Sequence, residues 1–85
     1  MAVSTENCDM TDRERLASFE RQAEDAYSRM YDVHTPSDAA ACYSDAKEAL
    51  YSAIGLAREL RDDAAVKRLE ARLDHIKAVF RSQFT

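Results

Sequence analysis

TPSDAAACYSDAKEALYSAIGLARELR, residues 35–61, decides the fold. Ala39, Tyr43, Ala46, Leu50, Ala53, Ala57 and Leu60 recur at alternating steps of four and three. That spacing draws one apolar stripe down a helix of about seven turns. Most of the stripe is alanine, which has the highest helix propensity and a side chain small enough to let neighbouring backbones approach. The stretch therefore reads as the central helix of a small bundle, with a helix packed on each side. Its start is marked by Thr35 as N-cap, Pro36 at the first helical position and Asp38 in the first turn. Proline loses no hydrogen bond there, and an acid suits the positive end of the helix dipole. Gly55 lies opposite the stripe and costs ~1 kcal/mol relative to alanine, weakening the helix without breaking its pattern.

Upstream, Thr11-Asp12-Arg13-Glu14 has the form of a capping box. The Thr11 hydroxyl accepts from the Glu14 amide while the Glu14 carboxylate reaches back. The stripe Leu16, Phe19, Ala23, Ala26, Met30, Val33 follows, and the helix is expected to end near Val33 or His34. The Thr35-Pro36 pair sets that limit, because a residue before proline avoids the helical region. Residues 1–10, MAVSTENCDM, show no periodicity and are expected to form a disordered tail in which Met10 is an alternative start.

Downstream the decisive signal is a change of phase. Continuing the first stripe beyond Leu60 would bury Ala64, Lys67, Ala71 and Asp74. The apolar set is instead Val66, Leu69, Leu73, Ile76 and Phe80, displaced by roughly 200° around a helix. A short turn at Arg61-Asp62-Asp63 repairs the mismatch, with Asp62 or Asp63 as the next N-cap. The expected layout is a tail over 1–10 and one three-helix domain over 11–85, with helices at about 12–33, 36–61 and 63–82. Short connections favour an all-α, antiparallel up-down-up three-helix bundle.

Ala53-Ile54-Gly55-Leu56-Ala57-Arg58-Glu59-Leu60-Arg61-Asp62, followed by Ala65-Val66-Lys67-Arg68-Leu69-Glu70-Ala71-Arg72-Leu73, resembles the junction between two tetratricopeptide units. Arg61 stands where that junction carries glycine, and the Trp-Leu-Gly-Tyr signature is absent. The three-helix layout also resembles the microtubule-interacting and trafficking domain. Both resemblances span residues 38–80 and imply a helical protein-binding module without catalysis; neither assigns a binding residue.

Composition narrows the function classes. One glycine and one proline in 85 residues leave too little turn chemistry for an all-β fold. The single glycine also excludes phosphate-loop and dinucleotide motifs. Sixteen acids against twelve bases give a net charge of −4, unlike the basic footprint of a nucleic-acid binder. Two cysteines, Cys8 and Cys42, do not make a secreted disulfide framework, so a reduced, cytoplasmic setting is expected. No apolar run approaches the ~20 residues of a membrane span, and the N-terminus lacks the pattern of a signal peptide.

Catalytic and metal chemistry find little support. His34 and His75 are far apart, with no H-x-x-x-H, C-x-x-C or E-x-x-H pair to place two ligands on one helix face. No metal and no cofactor are expected. Cys42 sits in the first turns of the central helix, where a thiol pKa can fall, yet it also flanks the apolar stripe and reads better as a small packing residue. Lys67, Arg68, Arg72, Lys77 and Arg81 bias the third helix towards positive charge, offset by Glu70 and Asp74. A solvated face with i,i+4 pairs accounts for them, leaving weak nucleic-acid association as a lesser alternative. Glu20, Arg21, Glu24, Asp25 and Arg29 read as the charged outside of the first helix.

Aromatic residues carry the strongest functional signal. Up-down-up topology places Tyr27, Tyr31, Tyr43, Phe80 and Phe84, five of the seven aromatics, at one pole. Aromatic and methionine side chains are enriched at protein interfaces. The expected partner-binding set is Tyr27, Met30, Tyr31, His34, Tyr43 and Phe84; an aromatic-filled end of the core is the competing reading. A second line, Tyr51 and Ile54, lies away from the main stripe and is expected to support self-association if exposed. The function expected is that of a small interaction module or adaptor, binding a protein partner or forming a homodimer. The nearest alternative is a regulatory or chaperone-like subunit that binds an apolar helix.

Overall fold

A computed structural model describes residues 11–84. The expectations for the tail, including Cys8 and Met10, lie outside these residues. The chain forms three helices, α1 (Asp12–Asp32), α2 (Pro36–Glu59) and α3 (Asp63–Gln83), with no strand among the described residues. This is the all-α three-helix architecture.

Each helix begins at a side chain able to cap it. The Thr11 hydroxyl accepts from the Glu14 amide at 3.1 Å, and Glu14 accepts from the Thr11 amide at 2.9 Å. Thr35 accepts from the Asp38 amide at 3.1 Å. Asp62 accepts from the Ala65 amide at 3.1 Å. These bonds satisfy N–H groups that have no partner within the first turn.

The break between α2 and α3 falls where the apolar phase changes. The Asp62 amide donates to the Ala57 carbonyl and the Arg61 amide to the Arg58 carbonyl, each at 3.0 Å. This pair of bonds is the Schellman arrangement, which requires a left-handed residue between helix and exit. Arg61 fills it at φ 57°, a position usually taken by glycine because a Cβ is disfavoured there.

The core is built from Leu16, Ala23 and Ala26 of α1, the alanine-rich stripe with Leu50 of α2, and Leu69, Leu73 and Ile76 of α3. Met30, Leu50, Leu69 and Ile76 are the largest side chains removed almost wholly from solvent. Burying each contributes roughly 1.5–3 kcal/mol. Alanine lines the buried faces of both α1 (Ala23, Ala26) and α2 (Ala46, Ala53, Ala57), a side chain small enough to let these two backbones approach. Leucine, isoleucine and aromatic side chains hold α3 further from α2, as the dependence of interaxial distance on side-chain size requires. No polar or charged side chain is buried among the described residues.

Candidate functional site

α1 and α3 run parallel on either side of α2, and their facing side chains form a ladder with a nearly constant sequence offset. Arg13 pairs with Asp62, Glu20 with Arg68 and Glu24 with Arg72, and the Tyr27 ring meets His75. Three of these rungs join residues 48 apart, and the first joins residues 49 apart. Such an offset follows from two parallel helices in fixed register. The pattern changes along the ladder: ion pairs occupy its first part and rings its last.

Arg72 joins the two parts. Its guanidinium donates to both Glu24 carboxylate oxygens, at 2.6 and 2.7 Å, and lies 4.9 Å from the Tyr27 ring centroid. The Glu24 hydrogen bonds hold the Arg72 proton more firmly than usual, against the opposing effect of burial. Beneath the ion pairs is a slot of about 240 Å³, floored by Leu50 and Leu69 and rimmed by Glu20, Glu24, Arg68 and Arg72. The sequence pattern suggested i,i+4 pairing within α3; Arg68 and Arg72 are instead engaged across the molecule by α1.

Beyond Arg72 the rings make one continuous strip across all three helices. Tyr27 meets Tyr31 edge-on at 5.5 Å, and their hydroxyls are hydrogen-bonded at 3.2 Å. Tyr31 meets Phe84 edge-on at 5.4 Å; Phe84 stacks on Phe80 at 5.9 Å, and Phe80 on Tyr43 at 4.0 Å. Lys47 lies 4.5 Å from the Tyr43 centroid and closes the far end. The Tyr27 hydroxyl holds its proton above the ordinary tyrosine range, first through its bond with Tyr31 and then through burial.

The five aromatics expected at one pole are thus in contact, and the strip is not sealed in the core. Tyr31 is 51% exposed, while Tyr27, Tyr43, Phe80 and Phe84 are half-buried. His34 is exposed beside Phe84, where both line a depression of about 240 Å³ together with Pro36 and Ala39. Met30 departs from expectation: it has no exposed surface and lies beneath the strip, because one residue's step from Tyr31 turns it inwards by about 100°. Ile54 departs too, being buried against the core at 5% exposure. Tyr51, its expected companion, is 53% exposed with Lys77 at 5.9 Å from its ring. Cys42 is buried, in keeping with a packing role.

No three His, Cys, Asp or Glu side chains converge to hold a metal ion among the described residues. No described helix is long and apolar enough to cross a membrane. No family model matches the chain, and neither a curated protein nor a solved structure is significantly similar to it.

Proposed function

We propose that the chain is a small cytoplasmic protein-interaction module without catalysis, and that it holds its partner on the aromatic strip. The observation that carries this reading is Tyr31. It is half-exposed within an unbroken run of ring contacts, between Tyr27 and Phe84, with its hydroxyl at the water edge. Rings of this kind offer a large apolar area and a polar handle, at little entropic cost when neighbouring rings already hold them. The depression beside His34 and Phe84 extends the surface, so an apolar side chain of a partner has a place to enter. The tetratricopeptide-like and trafficking-domain-like pattern of residues 38–80 supports the same class of activity. Nucleic-acid binding ranks lower because Arg68 and Arg72 already satisfy Glu20 and Glu24.

The experiment is retention of a partner by immobilised full-length chain, compared between wild type, Tyr31→Ala and Tyr51→Ala. The reading expects loss with Tyr31→Ala and retention with Tyr51→Ala. Equal retention by all three removes the strip as the binding surface.

A further inference from the structure

The α1–α3 seam carries an inference independent of the strip. α1 and α3 each pack on α2 but scarcely approach one another. Long charged side chains span the gap between them. Arg68 donates to both carboxylate oxygens of Glu20, at 2.5 and 3.2 Å, and Arg72 to both of Glu24. Below these two rungs lies the slot of about 240 Å³ floored by Leu50 and Leu69. The floor is almost closed to water, with Leu50 1% and Leu69 2% exposed, whereas the four side chains above it are partly exposed. The ion pairs thus roof an apolar space.

We infer that the slot binds one small, uncharged, apolar molecule, and that the two ion pairs gate its entry. The lining selects the ligand class. Its charged residues are two acids and two bases, each acid held by one base, so the rim leaves no ion for a charged ligand to neutralise. A charged ligand would have to separate a pair already formed and give up its own hydration. The leucine floor offers no hydrogen bond, so a water molecule gains little there, while an apolar molecule gains dispersion contacts and leaves water. Size follows from volume. An apolar cavity of about 150 Å³ takes a benzene-sized molecule, and this slot has room for a fused pair of rings or a short alkyl chain.

The gate follows from the weakness of the roof. Partly exposed ion pairs break readily, and exposed side chains change rotamer within nanoseconds. Entry needs only Arg68 and Arg72 to swing outwards, with both helices still seated on α2. The slot accepts its ligand while the pairs are open, so the apparent affinity is the intrinsic affinity reduced by the open fraction. Weakening the pairs therefore tightens binding.

Naphthalene is the probe, titrated into isotope-labelled full-length chain and followed by NMR at low salt. Saturable shifts at the Leu50 and Leu69 methyl groups are expected, with intermolecular NOEs to both. Glu20→Gln with Glu24→Gln keeps the shape of the rim and removes its anions, and should bind about threefold tighter or more. Raising NaCl to about 1 M, where charges are screened beyond ~3 Å, should bring wild type towards the variant. Naphthoate, the same rings with a carboxylate, should bind wild type more weakly than naphthalene. The proposal is overturned by no saturable shift up to the solubility limit of naphthalene, or by NOEs confined to the aromatic strip. It is equally overturned by a double variant that binds no tighter than wild type, or by naphthoate binding more tightly than naphthalene.

Discussion

Arg72 donates two hydrogen bonds to Glu24 and lies over the ring of Tyr27, so one side chain of α3 fixes two successive turns of α1. The paired oxygens match the planar fork of a guanidinium, and the same plane suits a ring face. Lysine keeps the charge and loses both geometries. Arg72→Lys is therefore expected to lower stability by about 0.5–1 kcal/mol, a modest figure because the pair is only partly shielded from water. Arg68→Lys should cost less, since no ring lies against Arg68. Urea unfolding of the two variants under identical conditions gives the comparison, and an equal cost at both positions would remove Tyr27 from the explanation.

Arg61 holds a left-handed conformation, and among the described residues its side chain makes no hydrogen bond or ion pair to compensate for it. A residue with a Cβ costs roughly 1–2 kcal/mol there, while glycine returns part of the gain through its freer unfolded state. Arg61→Gly should raise stability by about 0.5–1 kcal/mol. A shift of the urea midpoint to higher concentration, at unchanged slope, is the expected result.

Much of the fold was legible because its signals are local. Thr11 to Glu14 and Thr35 to Asp38 are capping pairs within one turn, and the jump in phase between Leu60 and Val66 can be read without knowing what either stripe touches. The aromatic pole was legible one step later, once topology placed the end of α1 beside the end of α3. The ladder was not. Pairing Glu20 with Arg68 and Glu24 with Arg72 depends on the rotation of two helices that are not adjacent in the chain. Nothing local distinguishes those residues from other charges on a solvated face. Met30 and Ile54 were misplaced for different reasons. Ile54 lies near the edge of an apolar arc, where a few degrees of helix rotation decide between surface and core, whereas Met30 lies in the middle of the buried arc of α1 and joined the partner-binding set only through its closeness in sequence to Tyr27 and Tyr31.

Asp62 caps α3 and also accepts a hydrogen bond from Arg13. The Arg13 bond, followed by the Ala65 amide, holds the Asp62 carboxyl below the ordinary aspartate range. A carboxyl with a lowered folded-state pKa contributes stability above its unfolded pKa, and the contribution is lost as pH falls through the folded one. The loss therefore lies below about pH 4, the ordinary aspartate value. Asp62→Asn keeps a capping oxygen and removes the titration. Its stability should fall less steeply than that of wild type between neutral pH and pH ~2. Parallel curves for the two proteins would show that Asp62 does not contribute to acid sensitivity.

The central claim is that the aromatic strip is a surface for a partner and not merely the end of a core. Tyr31→Ala tests it most directly, with unfolding free energy and partner retention measured on the same preparation. Tyr31 is half-exposed, so truncation is expected to cost no more than about 1 kcal/mol of stability, while a fully buried ring would cost 3–5 kcal/mol. The account expects near wild-type stability together with at least a tenfold loss of retention, the effect of removing about 1.4 kcal/mol or more of binding energy. A variant that loses several kcal/mol of stability, or that folds normally and retains its partner as wild type does, would contradict it.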